Sequence, residues 1–486
     1  MHKLIPEAHW RRALLAATGL LLLAWLANGW WHASKPIPEG FGVAFPERGA
    51  IEVQWLHDLS WTDAEGEQHY QQEIFDYKLA LIAQAERFIV ADMFLFNDFA
   101  GAADRDFREL SAQLTQALIA RRQQQPQLQV VVISDALNTL YGGQSSSHFQ
   151  ALRQAGIDVV ITPLKPLPDS NPAWSGFWRL CCGWAGNNDQ AGWLPNPLGG
   201  EPVTLRSYLA LLNFKANHRK TLISDYGDNW RAVVSSANPH DASSWHSNTA
   251  VAFSGPAVHD LLVSEQAVLH LAGNDWQLPE ASQPMTPQDS AQVSIRVLTE
   301  AAIRDAALEM IDASQADDRV MLASFYLAHR PMVEALVRAS RRGARVQVLL
   351  DANRDAFGRE KGGIPNRPVA AELVAAGVEV RWCSTQGEQC HSKWLMRQGS
   401  DGSASVISGS ANFTRRNLDN LNLETSVQLR GNIELPELAE PAEWFQRRWN
   451  NPGQRQHSLP YGEFADESRS RYWRYRVMEA SGLSTF

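Results

Sequence analysis

Cysteine is nearly absent: Cys181, Cys182, Cys383 and Cys390 are the only four in 486 residues, and no CxxC pair exists, so a zinc knuckle is excluded. Positive charge is not in excess either. Lys and Arg number 44 against 53 Asp and Glu, and the net charge of −9 speaks against a chain built to coat nucleic acid, though not against a local basic site. There is no HExxH, no P-loop, no G-x-S-x-G and no complete GxGxxG. The histidines show no metal spacing, so neither a metal nor a cofactor is expected. Disorder is excluded by a hydrophobic content of 44% and a charged content of 20%. The chain is too long for one ordinary core, and two domains or two fused halves are expected.

Long hydrophobic runs are also missing, with one exception. Ala13 to Trp31 carries no charge, and as a helix it is about 28 Å long, close to the roughly 30 Å hydrocarbon core of a bilayer. Lys3, Arg11 and Arg12 precede it, and Trp25, Trp30 and Trp31 crowd its far end, a positive-inside run with an aromatic belt. The reading is a cytosolic N-terminus at 1–12, a transmembrane anchor at 13–31 and the bulk of the chain outside the cytosol. A cleaved signal peptide is the alternative, but no small-x-small cleavage site follows the run. A Pro- and Gly-rich linker at 32–50 comes next.

Beyond residue 50 the pattern occurs twice. An apolar strand (86–96), a helix with Phe107, Leu110, Leu114 and Leu118 at helical spacing, a strand (128–138) and a helix–Gly–strand unit (151–162) form the first copy. Residues 319–330, 334–353 and 371–383 repeat that order. Alternating strands and helices predict a parallel or mixed sheet covered by helices. The expected domains are 51–276 and 293–486, joined by a linker at 277–292. The fold class is α/β, two similar domains related by a pseudo-two-fold axis, so that matching positions face each other. From the Gly of the third unit to the next His-x-Lys is 62 residues in the first half (Gly156 to His218) and 14 in the second (Gly377 to His391), which assigns the first half an insertion of about 48 residues. This insertion, about 163–210, holds Trp174, Phe177, Trp178, Trp184 and Trp193. Such residues suit a membrane interface, and the plainer alternative is a loop packed on its own domain.

Each half then reaches His-x-Lys: His218 with Lys220, and His391 with Lys393. About 20 residues later each reaches a small-residue turn ending in Asn, Ser236-Ala237-Asn238 and Ser410-Ala411-Asn412. A lone His-x-Lys is weak; the duplicated set is not. A phosphodiester needs a nucleophile, an acid for the leaving oxygen and cations for the equatorial oxygens. Two facing histidines divide the first two tasks. Lys220 and Lys393, two residues on, share their face if the segments are strands, and Asn238 and Asn412 supply amide donors. His240 and His246 read as loop residues, Arg415 as a source of positive potential at the mouth of the site, and Arg416 as solvated surface. Cys383 and Cys390 either bridge a short loop beside His391 or are unrelated thiols.

These residues, HRKTLISD with SSAN and HSKWLMRQ with GSANFTRRN, resemble the two HKD motifs of the phospholipase D superfamily, and the anchor and paired motifs look closest to its bacterial cardiolipin synthase-like branch. The resemblance covers most of residues 75–430. It implies a pair of α/β domains with one shared site and a phosphohistidine intermediate released by water or an alcohol. By position it makes His218 and His391 nucleophile and acid, with His218 adopted as nucleophile, and makes Lys220, Lys393, Asn238 and Asn412 phosphate-binding. Ser236 and Ser410 either bind at the site or are small because the turn is tight. Asp225 keeps the motif's carboxylate; Gln398 replaces it in the second motif, with Asp401 three residues on. Glu424 fits a histidine-orienting glutamate 12 residues past Asn412, while the same offset from Asn238 lands on Ala250. The expected function is phosphodiester hydrolysis or phosphatidyl transfer on phospholipids at a bacterial inner membrane, with the catalytic part in the periplasm. Phospholipid and membrane are the expected partners and nucleic acid is disfavoured; an extracytosolic nuclease or a catalytically degenerate binding protein are the alternatives.

Overall fold

The computed structural model describes residues 7–99, 106–196, 199–277, 292–356, 359–360, 362–484 and 486. Residues 1–6 of the expected cytosolic segment and 278–291 of the expected linker lie outside them.

Two sheets carry the fold, and seven strands occur in the same spatial order in each. In the first sheet they run Ile51–Thr62, Asn248–Ser254, Asn229–Ser235, Lys220–Tyr226, Phe88–Met93, Gln129–Ser134 and Asp158–Ile161. In the second they run Ser294–Thr299, Thr425–Asn432, Ser403–Gly409, Lys393–Gln398, Arg319–Ser324, Arg345–Leu350 and Glu379–Cys383. Both sheets are mixed: Phe88–Met93 lies parallel to Gln129–Ser134 and antiparallel to the motif strand Lys220–Tyr226, and Arg319–Ser324 does the same between its own neighbours. The α/β fold with two similar halves is therefore present, and each half opens with a strand that precedes the repeat visible in the sequence.

The central strands are apolar on both faces because both faces are covered. Phe88 and Val90 point into a core shared by the two halves, where Trp55, Ile223 and Phe253 meet Val297, Met321, Trp394 and Trp444. Ile89, Ala91 and Met93 point the other way, into a core under the first half's own helices. Val320 and Leu322 occupy the matching outer core of the second half.

The segment expected to be a linker at 32–50 is instead part of the second sheet's edge. Arg48–Gly49 pairs antiparallel with Ser294 and Ile295, Phe45 N–H donates to Val297 O at 3.0 Å, and Thr299 N–H donates to Val43 O at 3.0 Å. Phe41, Val43 and Phe45 give it the alternation of an edge strand, and Phe41 is buried. Before it, a helix runs Glu7–Ser34, longer than the span expected from the uncharged run. Among the described residues one helix, His9–Ser34, is long and apolar enough to cross a membrane.

Candidate active site

The two motif strands begin at their lysines, Lys220 and Lys393, and each histidine lies just before its strand. Each is pinned to the opposite half. His218 N–H donates to Leu423 O at 2.8 Å, and His391 N–H donates to Ser247 O at 2.8 Å. One residue earlier, Asn217 N–H donates to Asp135 at 2.7 Å and Cys390 N–H donates to Asp351 at 2.8 Å, both carboxylates standing at the ends of equivalent strands. The Asn217 amide also reaches Thr162 at 3.0 Å. In the second half the same two positions are Cys390 and Cys383, and they are joined by a disulfide. The open reading of those thiols is thus resolved as a bridge, which replaces a hydrogen bond with a covalent tie; Cys181 and Cys182 are also bonded to each other.

Both imidazoles are buried, and each receives a partner from the other half. His218 Nδ1 lies 3.0 Å from Glu424. His391 Nδ1 lies 3.1 Å from Asn248 Oδ1. The position matching Glu424 is therefore Asn248, not Ala250. The chain from Asn238 to its orienting residue is two residues shorter than that from Asn412, so a fixed offset misses it; Ala250 is buried in the outer core. Ser236 and Ser410 support these partners instead of facing a phosphate. Ser236 Oγ donates to Asn248 Oδ1 at 2.9 Å and accepts from Thr249 N–H, while Ser410 Oγ donates to Glu424 and accepts from Thr425 N–H. A phosphate-binding role for either serine is corrected accordingly.

The chemistry of the partners sets the tautomers. Burial opposes ionisation of Glu424, but His218, Lys220 and Ser410 outweigh it and hold the carboxyl below its usual range. An ionised Glu424 only accepts, so His218 donates from Nδ1 and keeps its lone pair on Nε2. Asn248 Nδ2 donates to Asp58, which fixes its Oδ1 toward His391. Burial pushes His218 down to about 4 despite Glu424. Burial and Lys393 push His391 well below the ordinary imidazole value, with Lys220 and His218 adding to the effect. Lys220 is lowered to about 7 by burial, and Lys393 well below its usual range by burial and Lys220. Each motif thus feels the other's cation across the pseudo-axis.

Each lysine folds back on its own motif, Lys220 Nζ donating to His218 O at 2.5 Å and Lys393 Nζ to His391 O at 2.6 Å. Phe94 and Phe325, at equivalent positions, floor the two pairs. The Phe94 ring lies 4.6 Å from the His218 ring and 4.8 Å from Lys220 Nζ; the Phe325 ring lies 5.3 Å from His391 and 5.5 Å from Lys393 Nζ. Asn238 and Asn412 are buried on the turns that follow the next strands, and Asn238 Oδ1 accepts from Leu95 N–H at 3.4 Å. Asn248, Phe94, Phe325 and the strand-end carboxylates Asp135 and Asp351 had no motif spacing to reveal them. His246, expected to be a loop residue, is buried with its ring 5.7 Å from that of His391.

Asp225 is not at this centre. It sits five residues beyond Lys220, about 16 Å along the strand, where it accepts from the N–H groups of Glu86, Arg87 and Phe88 and lies 3.6 Å from the Arg87 guanidinium. The second half ties the strands differently: Arg397, one position before Gln398 on the motif strand, donates at 2.7 Å to Asp318, which stands where Arg87 does. Gln398 therefore needs no carboxylate, and Asp401 merely accepts from Ser403 in its own turn. Arg416 is not solvated surface. It donates to Ser170 of the insertion at 2.9 Å and lies over the Phe214 ring at 4.9 Å, whereas Arg415 reaches Ala480 O in the C-terminal helix. Among the described residues no group of His, Cys, Asp and Glu is arranged to hold a metal ion.

Comparisons with known proteins bear on the family and the fold. Residues 308–449 match the family described as cardiolipin synthase, PLD-like domain. The phosphatidylserine synthase of Haemophilus influenzae Rd KW20 superposes with a TM-score of 0.56 over 89% of this chain and 94% of that one, at 12% identity. Polyphosphate kinase from Porphyromonas gingivalis gives 0.45 over 89% and 53% at 14% identity. Nuc, a phospholipase D family member from Salmonella typhimurium, gives 0.26 over 35% and 98% at 25% identity. No curated protein matches the chain. The second half carries a phospholipase D-like domain, and the resemblance to the phospholipase D superfamily stated from the motifs holds.

Proposed function

We propose that this phospholipase D-like chain is a membrane-anchored enzyme that cleaves or exchanges the head-group ester of phospholipids through a phosphohistidine. The observation that carries the reading is the unequal pairing of the two histidines. His218 faces a carboxylate, which favours the positive charge its ring acquires when Nε2 attacks phosphorus. His391 faces a neutral amide, which orients the ring without holding its proton. In the first step the His218 Nε2–P bond forms as the P–O bond to the head group breaks, and His391, protonated on Nε2 once the anionic diester is bound beside it, gives that proton to the leaving oxygen. In the second, His391 takes a proton from water or an acceptor alcohol as its oxygen bonds phosphorus and the P–N bond breaks. Lys220 and Lys393 hold the non-bridging oxygens, and Asn238 and Asn412 add amide donors.

The lipid substrate is supported by the long apolar N-terminal helix and by the similarity to a cardiolipin synthase family and to a phosphatidylserine synthase. The Cys383–Cys390 bridge fits an oxidising compartment, hence a periplasmic catalytic part. The test incubates the full chain, without divalent metal, with phosphatidylglycerol vesicles and separately with single-stranded DNA. Glycerol release or cardiolipin formation supports the reading. Cleavage of DNA alone replaces it with a nuclease, and inactivity on both with a binding protein.

A further inference from the structure

The tryptophan-rich insertion is a second element touching the anchor. Its helix Pro172–Cys181 crosses the helix Glu7–Ser34 with backbones in contact. A Cβ on Gly176 would meet Gly29 Cα at 3.1 Å and Trp25 O at 3.2 Å, and a Cβ on Gly29 would meet Pro172 O at 2.9 Å. This is the close approach that small residues permit between helices in lipid. Trp25 Nε1 donates to Ala173 O at 2.7 Å, and Asp169 N–H donates to His32 O at 2.9 Å.

The crossing sets a depth. The uncharged run Ala13–Trp31 is about 28 Å of helix, close to a roughly 30 Å hydrocarbon core, so the turns from Trp25 to His32 approach the far head-group boundary. A helix docked against Trp25 to His32 lies at that boundary. Its two faces differ. Trp174 points inward, donating to Leu209 O at 2.8 Å, and Trp178 packs under Arg206. Phe177 and Leu180 on the other face are each 48% exposed, and Trp184, in the turn just past the helix, is 78% exposed.

The same segment also reaches the half of the chain that carries His391. Ser170, between Asp169 at the anchor and Pro172 at the helix start, receives Arg416, which lies four residues beyond Asn412. One short stretch of chain therefore touches both the anchor and the catalytic half.

We propose that the face formed by Phe177, Leu180 and Trp184 is embedded in the lipid interface and holds the half that carries His391 against the leaflet, so that the substrate is a phospholipid taken from the bilayer rather than from solution. This rests on the anchored phospholipase D-type reading above. The occupant is a bilayer because the face continues the lipid-facing surface of the anchor.

The test uses the full chain carrying His218→Ala, in vesicles of phosphatidylethanolamine and phosphatidylglycerol, with p-benzoylphenylalanine placed in turn at Phe177, Leu180, Trp184, Leu20 and Val374. Leu20 lies mid-anchor and Val374 on the far helix Asn366–Ala375. On irradiation, lipid adducts form at 177, 180, 184 and 20 and not at 374. Adducts at 20 alone overturn the embedded face and leave the anchor standing; absence at 20 as well overturns both. A catalytically intact chain with Phe177→Asp and Leu180→Asp then loses at least tenfold in turnover of vesicle phosphatidylglycerol and keeps its turnover of a monomeric short-chain analogue. Equal loss on both substrates contradicts the proposal. Adducts at 177, 180 and 184 from a parent chain inactive on any lipid would sink the enzymatic reading instead.

Discussion

Glu424, on the second half of the chain, holds Nδ1 of His218, on the first, at 3.0 Å. The reciprocal contact joins Asn248 of the first half to His391 of the second. Neither half contains a complete histidine site. Each copy therefore orients the other copy's imidazole, as the proposed single centre requires.

Glu424→Gln removes the charge and keeps the shape. We predict a loss of about 10–100-fold in kcat with the fold intact, because the amide no longer fixes the tautomer or favours the developing imidazolium. Asn248→Ala, which removes an orienting group without a charge, costs less. Steady-state kinetics on lipid vesicles decide it; equal losses for the two variants would remove the assignment of unequal roles.

Asp225→Ala lowers stability and leaves chemistry alone. Three backbone N–H groups lose their acceptor, a cost of about 2–3 kcal/mol, and the melting temperature falls by a few degrees. The kcat of the folded fraction stays within about twofold of the parent. A tenfold fall in kcat with unchanged melting would return Asp225 to the catalytic set.

Anion binding at the site takes up protons. Burial holds Lys220 down to about 7, and a bound dianion raises it again by favouring the ammonium form. Between the free and bound values the complex carries more protons than the free protein, so affinity weakens as pH rises. The dissociation constant for tungstate, followed by calorimetry from about pH 7 to 9, rises up to about tenfold per pH unit for each proton taken up. A constant affinity over that range contradicts the buried, depressed lysine.

Reduction of Cys383–Cys390 loosens one side of the site. The bridge closes a loop of a few residues beside His391, and its entropic contribution is of order 2 kcal/mol. The double variant Cys383→Ser, Cys390→Ser lowers the melting temperature and raises hydrogen exchange around residues 383–393. Cys383→Thr with Cys390→Asn, which copies the hydrogen bond of the first half, restores part of the loss. No change in exchange in the serine variant would show that Asp351 alone suffices to hold the segment.

The sequence revealed most of what repeats. The paired His-x-Lys, the small turns ending in Asn238 and Asn412, and the strand–helix order were visible because side-chain identity and spacing carry them. What escaped depends on spatial equivalence. Asn248 answers Glu424 only after strands are superposed, since the intervening loops differ in length. Arg87 with Asp225 in one half and Asp318 with Arg397, one position earlier on its strand, in the other conceal comparable ties behind two apparently unrelated pairs. The segment after the N-terminal helix reads as a linker because Pro and Gly dominate it, yet the alternation of Phe41, Val43 and Phe45 against an open sheet edge decides its structure. Ser236 and Ser410 were seen as site residues, and only their partners reveal that they serve the orienting groups.

The most direct test of two imidazoles acting on one phosphorus uses His391→Ala with an activated aryl phosphodiester, whose leaving group needs no acid. The account predicts a burst of one aryl alcohol per chain and, on protein denatured and digested at alkaline pH, a phosphoryl adduct confined to the peptide containing His218, because the base for its release is missing. An adduct on His391 in the parent chain, or a variant that turns over this substrate without a burst, would contradict it.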